Sequence, residues 1–218
     1  MRVRLFVFDI AGTTVRDDNI VHRAFMTTAA EADLRADGDW IKARMGWNKV
    51  QVFRELLTLN ARPSDDATRL ADRFTRAIMH DMDARPPVPL AGAEECLHTF
   101  RESGIRVAFN TGYSATLAEQ IIRRMGWKPD AIIGSDLVEL GRPAPDMIRL
   151  AMTRTGVTDP SQVGVAGDTP SDLHAGDAAG CRFVVGVGHG THTLDELRPH
   201  PHTHLLPDLT TLPEVLRG

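Results

Sequence analysis

The feature that most constrains this chain is a hydrophobic strand that ends on one carboxylate and a glycine turn: Phe6-Val7-Phe8-Asp9-Ile10-Ala11-Gly12-Thr13-Thr14. A short apolar run bounded in this way reads as a parallel strand buried on both faces. The carboxyl end of such a strand is where open α/β sheets bind ligands. Gly12 leaves the turn free to bend, and N–H groups in a turn of this kind, at Gly12 and Thr13, can cradle an anion. Two places beyond Asp9, where a second acid might have stood, the residue is Ala11.

The same grammar recurs downstream. Strand-like runs at 3–8, 105–110, 131–133, 162–166 and 182–187 are separated by helical patterns at 92–102, 115–125, 145–154 and 171–179. That alternation predicts an α/β fold, a doubly wound Rossmann-like parallel sheet. Residues 17–85 break the rhythm with helical periodicity only, at 22–33, 49–59 and 65–83, before Pro86, Pro87 and Pro89 mark a stiff return. The expectation is a core of residues 1–16 and 88–218 with an all-helical cap, 17–87, inserted after the first strand. A chain of 218 residues, 42% of them apolar, accommodates both.

A net charge of −4 and the lack of a basic stripe argue against a nucleic-acid surface. No run approaches the ~20 apolar residues of a membrane span. Cys96 and Cys181 read as separate buried thiols. The expectation is therefore a cytoplasmic enzyme or binding domain. The histidine-rich stretch His200-Pro201-His202-Thr203-His204 reads as an exposed loop rather than a zinc site, and His22, His189 and His192 are candidates for the rim of a cleft.

Chemistry collects at the proposed strand ends: Asp9, then Thr111-Gly112, then Gly141-Arg142-Pro143, then Gly167-Asp168-Thr169-Pro170-Ser171-Asp172. Each piece has an ordinary reading as a turn, a surface charge or a helix cap. Together they form a coherent set. Two or three carboxylates can hold Mg²⁺, a hydroxyl and a cation can hold phosphoryl oxygens, and a free carboxylate can attack phosphorus to give an aspartyl-phosphate.

This order of residues resembles the haloacid dehalogenase superfamily of phosphotransferases. The resemblance implies Asp9 as nucleophile and Mg²⁺ ligand, with the Ala11 carbonyl, Asp168 and Asp172 completing the metal set and Thr111 on the phosphoryl oxygens. Ala11 removes the acid/base that most phosphatases of the superfamily carry there, and Arg142 stands where most have lysine. Asp-x-Ala-Gly-Thr-Thr, Gly-Arg-Pro and Thr111-Gly112-Tyr113 together resemble the phosphonatase branch. There a cap lysine forms a Schiff base with an aldehyde so that carbon leaves phosphorus as an enamine. The matching segment is Met45-Gly46-Trp47-Asn48-Lys49, with Met45 and Tyr113 beside the substrate; Trp47 and Met45 are expected to dry the lysine, and Arg44 is the cation adjacent to it in sequence. Val52 replaces the branch's histidine three places after the lysine, and Asn110 replaces a threonine. The implied activity is hydrolysis of a small phosphonate or phosphate. The alternatives are a phosphoglycolate-phosphatase-like phosphomonoesterase and a non-catalytic phospho-ligand binding protein. The resemblance also implies a homodimer through the cap, unless Phe25 and its neighbours pack inside it.

Overall fold

The computed structural model describes residues 2–216, so residues 1, 217 and 218 of the expected core lie outside it. Six strands form one parallel sheet in the order β3-β2-β1-β4-β5-β6. They are β1 (Leu5–Phe8), β2 (Arg106–Thr111), β3 (Ala131–Gly134), β4 (Val163–Gly167), β5 (Phe183–Val187) and β6 (His204–Leu206). Between them run α5 (Ala93–Glu102), α6 (Ala115–Arg124), α7 (Asp146–Thr155), α8 (Pro170–Ala178) and α9 (Leu194–Leu197), and α10 (Leu212–Val215) follows the last strand. The first five strands fall where the apolar runs predict. The sixth corrects the reading of 200–204 as loop: His204 opens a strand whose partner is Val185.

The strand order changes direction at β1, which sits in the middle with β2 on one side and β4 on the other. Every residue of β1 is fully buried. Phe6 and Phe8 pack against Phe100, and Phe8 against Phe109, on one face, while Leu5 and Val7 join Met147, Ile148 and Leu173 on the other. Burial on both faces explains why β1 reads as a continuous apolar run rather than an alternating one.

Four helices lie between β1 and α5: α1 (Ile20–Glu31), α2 (Gly38–Lys42), α3 (Lys49–Leu59) and α4 (Ala67–Ala84). Phe25, Phe53 and Phe74, from α1, α3 and α4, meet with ring centroids 4.6–6.3 Å apart. Phe25 is thus an interior residue of the insertion. The two chain segments that join insertion and core run side by side. The Arg16 N–H donates to the Val88 carbonyl at 2.9 Å, and the Leu90 N–H donates to the Thr14 carbonyl at 2.9 Å. Among the described residues no helix is long and apolar enough to cross a membrane.

Candidate active site

Asp9 follows the last residue of β1, and the turn after it is built as the sequence suggests. The N–H groups of Thr14 and Val15 both donate to the Ile10 carbonyl, at 3.0 and 2.8 Å, and Gly12 adopts φ 84°. A Cβ on Gly12 would stand 2.4 Å from a carboxylate oxygen of Asp168, so both the left-handed backbone and the lack of a side chain are needed. Asp168 is fully buried just past the end of β4. Its two oxygens accept from the Thr13 hydroxyl at 2.9 Å and the Thr191 N–H at 2.6 Å.

One cavity gathers Asp9, Ala11, Asp17, Met45, Lys49, Thr111, Gly112, Tyr113 and Arg142, with Val21, Gly46, Thr169 and Thr191 completing its wall. It offers about 30 Å³ to the centres of water molecules, room for a water or two and not for a phosphonate. A larger groove alongside it is lined by Gly12, Arg16, Asp17, His22, Lys42, Met45 and His189, among others. Of the two N–H groups expected to cradle an anion, that of Gly12 donates to the Val15 carbonyl at 2.8 Å and that of Thr13 to the Ile10 carbonyl at 3.4 Å. Gly12 lines the groove, and the buried Thr13 donates its hydroxyl to Asp168.

Arg142 is 1% exposed and ties the site together. Its guanidinium pairs with Asp9 at 2.8 Å and with Asp172, while its Nε has no hydrogen-bond partner among the described residues. Burial pushes the Asp9 carboxyl up to about 6; Arg142 works against this and Asp168 adds to it. Asp172 also closes a capping box on α8, accepting from the Thr169 N–H at 3.1 Å and hydroxyl at 2.6 Å. Its oxygens are thus engaged by Thr169 and Arg142.

Lys49 is the first residue of α3. Asn48 caps that helix through Oδ1, which accepts from the Gln51 N–H at 3.0 Å. Asn48 Nδ2 reaches the core, donating to Ser135 at 3.1 Å. The Lys49 ammonium donates to the Trp47 carbonyl at 2.9 Å and lies 5.3–5.7 Å from the ring centroids of Phe25, Phe74 and Tyr113. Burial, with Arg142 second, brings its pKa down to about 7. The positive end of α3 acts in the same direction. The environment is only in part the one the neighbouring sequence suggests: the buried Met45 lines the chamber with the lysine, but the other two neighbours do not. The Trp47 indole points away and donates to Ser171 at 2.9 Å, and Arg44 is paired with Glu55 at 2.7 Å. The drying groups are Phe25, Phe74 and Tyr113, and the nearby cation is Arg142.

Residues 3–180 match the model of the haloacid dehalogenase-like hydrolases. The chain belongs to that family. A phosphonoacetaldehyde hydrolase of Bacillus cereus is 30% identical over 217 residues, covering 89% of this chain and 79% of the relative. The probable phosphatase IndB of Dickeya dadantii is 29% identical over 199 residues, covering 89% of this chain and 85% of the relative. A phosphonoacetaldehyde hydrolase-like protein from Oleispira antarctica has the same fold, with a TM-score of 0.86, 20% identity, and coverage of 100% of this chain and 92% of that one.

In this haloacid dehalogenase-like hydrolase the donor chemistry fits Mg²⁺, a hard ion usually held by one or two carboxylates with waters and substrate oxygens. Asp9 and Asp168 are both buried and close enough to oppose each other's charge, an arrangement a divalent cation relieves. Asp172, the third expected carboxylate, is engaged by Thr169 and Arg142, and among the described residues no group of three or more His, Cys, Asp and Glu side chains is arranged to hold a metal. Asp9 and Asp168 would hold the ion. Ala11 lines the cavity beside them.

Five lining residues are not among those the sequence singles out: Val21, Gly46, Thr169, Thr191 and the one ionisable member, Asp17. Asp17 is hidden in the charged run Arg16-Asp17-Asp18-Asn19, which reads as a solvated turn. The histidines stay peripheral: His22 and His189 line the groove, and His192 is absent from the lining of both chamber and groove. Cys96 and Cys181 are free thiols, both pushed up to about 12 by burial.

Proposed function

We propose that this hydrolase cleaves the P–C bond of a small phosphonate carrying a carbonyl group, using Asp9 as nucleophile and Lys49 as the amine that activates the carbonyl. The observation that carries this reading is the shared chamber. A lysine amine, neutral in part near pH 7, faces the cavity that also holds the Asp9 carboxylate and the Arg142 guanidinium. An amine needs such desolvation to be nucleophilic. Once Lys49 holds the carbon as an iminium, the electrons of the P–C bond have somewhere to go, and Ala11 need not supply an acid.

Asp9 attacks phosphorus and becomes an acyl phosphate, which water then hydrolyses. Arg142 and the Thr111 hydroxyl hold phosphoryl oxygens through the transfer. Bound at Asp9 and Asp168, Mg²⁺ supplies charge neutralisation at the phosphoryl group. The helical insertion acts as a cap that seals the chamber against water.

The test is phosphate release from phosphonoacetaldehyde with Mg²⁺, joined to borohydride trapping and mass analysis of Lys49. A covalent adduct on Lys49, with loss of turnover in Lys49→Arg, is the expected result. Phosphate release from simple esters with no trapped adduct would replace this reading with phosphomonoester hydrolysis. The identity to IndB and the buried Val52 favour that second reading.

A further inference from the structure

We propose that Asp17 is the proton-transfer residue of this chamber: it protonates the hydroxyl that leaves as the Lys49 adduct becomes an iminium, and recovers the proton from the water that frees the product. The inference rests on the Schiff-base reading above and adds the group that reading lacks.

Five ionisable side chains line the chamber: Asp9, Asp17, Lys49, Tyr113 and Arg142; the hydroxyls of Thr111, Thr169 and Thr191 are not acids or bases near neutrality. Asp9 is committed to phosphorus and Lys49 to carbon. A guanidinium does not release its proton, and burial holds the Tyr113 phenol well above its ordinary range. Position 11 is a methyl group and position 52 is a fully buried valine. Asp17 is what remains.

Its geometry suits the task. Oδ1 accepts from the Val21 N–H at 3.2 Å, which fixes the carboxyl at the start of α1. The other oxygen has no hydrogen-bond partner among the described residues. Asp18 and Asn19 take φ 44° and 60° to make the turn that holds it, and strain of this kind gathers at functional sites. Asp17 lines the closed chamber, the open groove and a third cavity walled by Ile10, Val15, Ile78, Met82 and Val88, so it stands between solvent and the chamber, near enough to Lys49 for each charge to act on the other. Burial pushes it up to about 6; the Val21 N–H opposes this and Asp168 reinforces it. A carboxyl with this poise works as acid and as base near neutrality.

The step balances. Neutral Lys49 Nζ adds to the carbonyl carbon, and one of its protons passes to the former carbonyl oxygen to give a carbinolamine. The Asp17 acid then protonates that hydroxyl, the C–O bond breaks, water departs, and the nitrogen lone pair closes the C=N bond. Asp17 is left as a carboxylate. After P–C cleavage the enamine carbon takes up a proton from solvent, matched by the proton that hydrolysis of the acyl phosphate releases, and becomes the product iminium. When water then adds to it, Asp17 takes one of that water's protons and returns to the acid, and the carbinolamine collapses to the free carbonyl and the neutral Lys49 amine.

The experiment measures the rate of borohydride-trappable Lys49 adduct formation with phosphonoacetaldehyde in the parent, Asp17→Asn, Asp17→Glu, and Asp17→Ala with added formate. Asparagine keeps an oxygen for the Val21 N–H, so thermal melts check that the fold persists. The inference expects a slowing of about 100-fold or more in Asp17→Asn, recovery in Asp17→Glu, and acceleration of Asp17→Ala by formate. An equal rate in Asp17→Asn overturns the inference and leaves the Schiff-base reading standing. Slowing in all variants with no rescue by glutamate or formate marks Asp17 as a helix cap and also overturns it. A parent that forms no adduct removes the Schiff-base reading and this inference together.

Discussion

At the scale of single residues, the chemistry and the stability of this chain meet at Lys49. Its pKa lies near 7, against an ordinary value of 10.5. Below about pH 7 the amine is protonated whether the chain is folded or not, and the fold carries the full penalty of a buried charge. Between about pH 7 and 10.5 the folded chain gives up that proton while the unfolded chain keeps it, so the penalty fades and stability rises. Lys49→Met, which keeps the length and removes the charge, should raise Tm by several degrees at pH 6 and by much less at pH 10. Thermal melts across that range check it, and a gap that does not change with pH would mean that the amine is hydrated. Asp9→Asn makes the complementary case. It leaves a neutral oxygen in place of the proposed nucleophile and weakens the buried pair with Arg142. Turnover per folded molecule should drop by about 1000-fold or more; full turnover in that variant would remove the aspartyl-phosphate.

At the scale of elements, the contact between the loop after β2 and the loop before α3 sets where the Lys49 amine sits. A Cβ on Gly112 would stand 2.5 Å from the carbonyl oxygens of both Gly46 and Trp47. These are backbone atoms and cannot swing aside. The Trp47 carbonyl is also the acceptor for Lys49 Nζ, so Gly112→Ala should displace the amine along with the loop. A shift of about 1 Å at a reacting group can reduce rate about 100-fold. The expected outcome is a drop of that order in kcat with a small change in Tm, and equal loss of both would point to general unfolding instead. The same contact shows what a sequence can and cannot reveal. β1 to β5 are legible because each is a buried apolar run. β6 has three residues in a histidine-rich stretch, and α2 has five, too few for a helical period to emerge. Lys49 is legible from Met45-Gly46-Trp47-Asn48-Lys49. Its surroundings are not, because Phe25, Phe74 and Tyr113 come from α1, α4 and the loop after β2, far apart in the chain. Asp17 escapes notice for a related reason: only the turn at Asp18 and Asn19 brings a carboxylate from a charged run to the chamber.

At the scale of the whole molecule, side chains hold the insertion to the core both near the joining segments, where Arg124 donates to the Met82 carbonyl at 2.9 Å and pairs with Asp83, and on the far side of the chamber. Trp47 donates to Ser171 at 2.9 Å, Asn48 donates to Ser135 at 3.1 Å, and Lys42 pairs with Glu196 at 2.6 Å. With these in place the chamber has about 30 Å³ for water centres, too little for a substrate to enter. The paired segments around Arg16 and Val88 are the covalent links between the two parts, so rotation about them is the expected way to open the chamber with the aromatic core of the insertion intact. The outermost latch is weak: Lys42 and Glu196 are both exposed, and an exposed ion pair contributes at most about 1 kcal/mol. Reversible closure is the behaviour the proposed turnover cycle needs. Asn48→Cys with Ser135→Cys replaces one latch by a bond that can be locked. Oxidation of that pair should abolish phosphate release, and reductant should restore it to the level of the reduced protein, with thiol counting to confirm that the bond formed. An oxidised protein that still turns over would show that substrate reaches Asp9 with the insertion in place, through the groove beside Asp17 and His22, and opening would then play no part in the cycle.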